Sequence, residues 1–151
     1  MEFEDLFDEL ENKFVELRYN WNRNLNCLRL QTLDQQFFDL LAPIVGVDFV
    51  AGLERSQSDW LIFATAQIAN LQPTNVQDEE LPLLRQQDIS MIDFIQTLDR
   101  PVRVVVRYAN HLESAFNLLD ADGVFLIAED ERLIPTQSIT QLRVLGTNSW
   151  Q

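Results

Sequence analysis

Of 151 residues, only one is cysteine, one histidine and four glycine, the types that much small-site chemistry depends on. A lone Cys27 excludes an internal disulfide framework and fits a reducing compartment. A lone His111 means that any serine–histidine or cysteine–histidine pair must run through it, and it stands in a predicted turn far in sequence from Cys27. His111 is therefore read as a surface turn residue and Cys27 as a small apolar one. GxGxxG, P-loop, CxxC and HExxH patterns are all missing. Cations are scarce too: 11 Lys and Arg face 24 Asp and Glu, for a net charge of −13 and a pI near 4.2. Nucleic-acid affinity comes largely from Lys and Arg neutralising phosphates, so this balance disfavours nucleic acid, and it disfavours anionic membrane surfaces as well. No apolar run reaches membrane-spanning length, and Met1-Glu2-Phe3-Glu4-Asp5 is acidic where a secretion signal is basic, so a cytoplasmic protein is expected.

What is present is a core. Apolar residues make up 46% of the chain, with ten phenylalanines and three tryptophans, enough to exclude wholesale disorder. Phe3, Leu10 and Leu17 recur every seven residues, as do Phe7, Phe14, Trp21 and Leu28, with Asn24 the one polar member of the stripe. Acids lead and Lys13, Arg18, Arg23 and Arg29 follow, an order that suits a helix dipole. These features predict one long amphipathic helix over 3–29, packed on the rest of the chain or forming a coiled-coil dimer seam. Thr32-Leu33-Asp34-Gln35 reads as a capping box opening a second helix that Pro43 stops. Strands are expected over 44–51 and 60–64, and the acidic, proline-punctuated stretch 76–89 reads as a linker whose Leu81, Leu83 and Leu84 could dock on a neighbour.

The order then repeats. Ser90 caps a helical face of Met91, Phe94, Ile95 and Leu98; Val102–Tyr108 alternates as a strand; 112–119 and 124–128 follow as strands, and Leu133-Ile134-Pro135 leads into the last. Thr65–Leu71 and Thr136–Leu142 share T-x-x-I-x-x-L, and Trp60–Ala64 aligns with Val124–Ala128. The pattern is a tandem duplication with the first copy shortened. The expected fold class is α+β: a long N-terminal amphipathic helix (1–30), a short helix-plus-β unit (31–75), an acidic linker (76–89), a second helix with a small Sm-like or SH3-like β-barrel (90–146), and a tail (147–151).

The chain resembles a family of small actinobacterial two-repeat proteins of uncharacterised function, loosely labelled Fis-like transcriptional regulators. The likeness rests on the opening Phe3–Glu11, on Ser58-Asp59-Trp60-Leu61-Ile62, on Arg100–Val106 and on Leu133-Ile134-Pro135. It implies Sm-like small-barrel character and supplies no catalytic, cofactor or metal residue. RNA-binding Sm-like barrels carry Arg-Gly loop signatures, and this chain has none.

No residue is expected to be catalytic, and no cofactor or metal is expected. Asp120-x-Asp122-Gly123 has the start of a calcium loop but reads as a hairpin turn. The leading expectation is a non-enzymatic cytoplasmic adaptor or regulatory module that binds an unidentified protein. Candidate partner or self-association residues are Phe3, Phe7, Leu10, Phe14, Leu17, Trp21, Leu28 and the terminal Trp150. A homodimer through the N-terminal helix is the structural-protein alternative. Arg100, Arg103 and Arg107 form the one basic strip from which a nucleic-acid regulator could be built.

Overall fold

Leu28 and Leu30 alternate with Arg29 and Gln31, the two-residue period of a strand with one face buried. A computed structural model describes residues 25–55, 59–76, 81–99 and 102–145, and in it that period prevails. Strands β1 (Cys27–Thr32), β2 (Phe37–Val45), β3 (Phe49–Glu54), β4 (Trp60–Ala64) and β5 (Ile68–Thr74) form a first unit. A two-residue β6 (Arg85–Gln86) and α1 (Met91–Gln96) follow. A second unit comprises β7 (Val102–Tyr108), β8 (Glu113–Ala121), β9 (Phe125–Ala128), β10 (Leu133–Pro135) and β11 (Ile139–Val144).

The expected α+β class is overturned: the described residues are mostly antiparallel sheet with one short α-helix and two single-turn 3-10 segments. The long helix cannot reach Leu28, because 27–32 is β1, and with it the coiled-coil reading loses its support. Phe3, Phe7, Leu10, Phe14, Leu17, Trp21 and Trp150 lie outside the described residues. The capping box is a hairpin turn: Gln36 N donates to Thr32 Oγ1 at 3.1 Å, Thr32 Oγ1 also bonds Asp34, and Gln35 takes φ 66°. Ser, Thr, Asn and Asp favour such turns for the same reason they cap helices, so the signature is shared. Pro43 sits in β2 beside a break in the β2–β3 register between Leu41 and Ile44.

Nor is the first unit shortened. Both units run in the order 4-3-2-1-5, the fifth strand returning to pair with the first. Their turns superpose bond for bond. Thr32 N donates to Gln36 O and Tyr108 N to Leu112 O, both at 2.9 Å; Gln35 and His111 share a left-handed φ of 66° and 68°. Thr65 N reaches Asp48 O and Thr136 N reaches Val124 O, again both at 2.9 Å. Ala51↔Ile62 and Ile127↔Leu133 are corresponding cross-strand pairs. Trp60–Ala64 thus answers to the strand ending at Pro135, not to Val124–Ala128, and the connection after β3 (55–59) is longer than its counterpart after β9 (129–132).

The units share one sheet. β11 lies between β7 and β4, with Leu142↔Ile62, Arg143↔Leu61 and Val144↔Trp60 across the junction. Leu145 N donates to Arg103 O at 3.0 Å, so alternate residues of β11 bond to β7, and Leu142 and Val144 turn their amides toward β4. Both faces of β3 and β4 are buried, which explains their near-continuous apolar runs. Val50, Leu61 and Phe63 pack inside the first unit with Leu28, Leu30 and Leu40. Phe49, Ala51, Trp60 and Ile62 face the other way and join the core of the second unit. Helix α1 covers that joint, its Phe94 ring stacked on Phe49 at 4.8 Å. The stretch read as a linker is tied down in its described part: Leu84 is buried in the first unit's core, β6 adds in parallel to β2, and Met91 N donates to Asp48 Oδ1 at 2.7 Å. No helix among the described residues is long and apolar enough to cross a membrane.

Candidate protein-interaction surface

The two superposable hairpin turns meet through one arginine. Arg107, near the end of β7, is largely buried and reaches the β1–β2 turn. Its Nη1 donates to Gln36 Oε1 at 2.5 Å, and its Nη2 lies 3.5 Å from Asp34 Oδ2 and 2.9 Å from His111 Nδ1. His111 Nδ1 is also 3.3 Å from Asp34 Oδ2. Among the described residues Arg107 Nε meets no acceptor. Arginine suits this task because its planar fork can bridge a carboxylate and an amide at once.

Around this fixed cluster the chain presents apolar side chains to solvent. Leu33 follows the turn's Thr32, Phe37 follows Gln36, and Leu112 follows His111; they are 60%, 67% and 64% exposed. Phe37 also lines an open groove of about 380 Å³ with Phe38, Asp39, Glu54 and Arg55. Along the groove, Arg29 Nε donates to Asp39 Oδ1 at 3.0 Å, and this bond and charge hold the Arg29 pKa above its ordinary value. Glu54 is held from the second unit, with Arg143 Nη1 at 2.6 Å from Glu54 Oε2 and 3.2 Å from Asp59 Oδ2. The groove itself is lined by the first unit alone, and the second unit reaches it only through this ion pair. By contrast the small hollow at the unit junction, beside Ile62, Met91, Ile139 and Leu142, measures about 10 Å³, room for at most one water.

The expected partner residues fare unevenly. Leu28, the one that lies within the described residues, is 1% exposed in the core of the first unit, so its side chain is not on a surface. Of the basic strip, Arg107 is engaged inside the cluster, Arg103 is exposed, and Arg100 lies outside the described residues. Cys27 is buried, and Trp60 is buried at the junction. Asp122 turns the β8–β9 hairpin, its Oδ1 accepting from Val124 N at 2.8 Å and Phe125 N at 2.7 Å. No group of three or more His, Cys, Asp or Glu among the described residues is placed to hold a metal. Sequence reading missed Leu33 and Phe37 as exposed because it assigned 32–41 to a helix, and it took Leu112 as the start of a strand. The signal was there: in the strand frame Leu28, Leu30 and Leu40 fill the inner positions, leaving Phe37 without one.

No protein-family model, curated protein or solved structure matches the chain.

Proposed function

We propose that the protein is a non-enzymatic adaptor that binds another protein through the paired hairpin tips. The observation that carries this is the set of three large apolar side chains, Leu33, Phe37 and Leu112, held in the open by turns that Arg107 locks together. A monomeric surface seldom spends so much apolar area on one rigid feature without a contact to make. An exposed phenylalanine beside a groove is the usual form of a binding anchor, and the acids around it set the charge of what fits. Both turns belong to the same surface, so binding there depends on the two units being fused.

The test is capture of partners from native lysate on the immobilised full chain, side by side with Phe37→Asp. A stoichiometric protein retained by the parent chain and lost with the variant supports the proposal. Identical capture by both chains, or nothing stoichiometric on either, rejects it. Because Phe37 is exposed, the variant is expected to keep the parent's Tm within about 2 °C, as surface substitutions do.

A further inference from the structure

The join between the units is a template for a second contact. In the first unit the outer face of β3 and β4 is covered by the core of the second unit, and β4 is paired by β11. The corresponding face of the second unit is β9 and β10, and none of the described residues forms a core over it. Leu133, the counterpart of Ile62, is 57% exposed, Val124 in the preceding turn is 59% exposed, and Phe125 and Ile127 are half-buried. Among the described residues no strand pairs with the outer edge of β10 either. Ala128 N donates to Arg132 O at 2.9 Å, so Arg132 and Ile134 bond inward to β9 and the amide and carbonyl of Leu133 point out. Exposed acids rim this end: Asp122, Glu129 and Glu131. Among the described residues, the nearby cation Arg132 is taken up by Asp130, with Nε 2.8 Å from Oδ2.

We propose that the β9–β10 end is a second docking surface, and that its occupant is a basic, extended segment of another protein. That segment adds as a short strand beside β10, places apolar side chains over Leu133 and Val124, and sets lysines or arginines against the acidic rim. Pro135 offers no donor at the next outward position, which keeps the added strand short.

A second copy of this chain fits less well. Its counterpart edge, β5, outermost among the described strands, carries Pro73 where β11 has Val144. The inner core of its first unit is already closed by Leu84. Two chains of charge −13 also repel.

The test titrates the full chain with a labelled peptide of alternating lysine and valine, seven residues long, and with its glutamate–valine counterpart, following backbone amide shifts. Expected are saturable binding of the lysine peptide alone, shifts concentrated over 119–135, and affinity about tenfold weaker in Leu133→Asp. Phe37→Asp, at the hairpin-tip surface, is expected to leave this binding unchanged, so the two surfaces fail or stand separately. Shifts spread over all acidic regions, or equal affinity in Leu133→Asp and in a second exposed variant, Val124→Asp, would overturn the proposal as mere polyanion attraction. So would β10 shifts that grow with protein concentration and no peptide, which would identify a second copy as the occupant.

Discussion

Asp122 turns the β8–β9 hairpin with its own carboxylate, and the amides of Phe125 and then Val124 hold its pKa below the ordinary value. A depressed carboxylate pKa stabilises the fold above the unfolded pKa, near 4, and the contribution disappears as pH falls through the folded value. The Tm of the parent chain is therefore expected to drop more steeply through that acid window than the Tm of Asp122→Asn, whose amide oxygen can accept the same bonds without titrating. Parallel acid limbs in thermal melts would show that the turn draws nothing from the charge. Gly46 makes a second single-residue argument. A Cβ there would lie 1.9 Å from the ring of Phe49, itself fully buried and stacked on Phe94. Gly46→Ala is expected to cost about 1–3 kcal/mol in urea unfolding, as overpacking of a fixed core does. Gly123, with open space around its Cβ position, is the control.

Among elements, α1 is a six-residue helix that would not persist alone. Ser90 caps it through Asp93 N at 3.2 Å, and Phe94 and Ile95 anchor it over the joint between the units. Phe94→Ala should cost about 3–5 kcal/mol by loss of burial and the cavity left behind. A loss below about 1 kcal/mol in denaturant titration would mean that α1 is not what closes the joint. This helix was legible from its cap and its Met91, Phe94, Ile95, Leu98 spacing, and β4 and β7 were legible from their apolar and alternating runs. The β1–β2 hairpin was not. Leu28 fits both a seven-residue stripe and a strand, Thr32-x-x-Gln35 fits both a cap and a turn, and Pro43 ends a helix as readily as it marks a bulge. Only Leu30 and Leu40, buried on one face of paired strands, break the tie, and that pairing is long-range information. The exposed Phe37 was lost with it.

At the scale of the molecule, the shared T-x-x-I-x-x-L was a true register mark, since both copies place a 3-10 turn there and then the strand that pairs back to the unit's first. Reading upstream from it failed because Trp60–Ala64 is as apolar as Val124–Ala128 and unlike the exposed β10 that it answers to, and because the connection before it, 55–59, is longer than its counterpart. The fusion of the units left a different trace, visible only in hindsight: Trp60-Leu61-Ile62-Phe63 is apolar on both faces because each face has its own core. Arg143 adds a polar clasp across the seam. Arg143→Ala leaves Glu54 and Asp59 facing each other in a largely buried place, an expected loss of about 3 kcal/mol, with Glu54→Gln recovering part of it in the double variant. Additive losses would show that the clasp is not coupled.

The account stands on the pairing of β11 with β4, which makes two units one sheet and brings the two hairpin tips together. In that pair Leu61 and Arg143 are directly opposite and not hydrogen-bonded to each other, the arrangement that brings Hα atoms closest in antiparallel strands. A nuclear Overhauser spectrum of the full chain is expected to show a strong Hα–Hα contact between Leu61 and Arg143, as intense as the contacts within each unit. Intense contacts within both units, with none between these two residues, would contradict it.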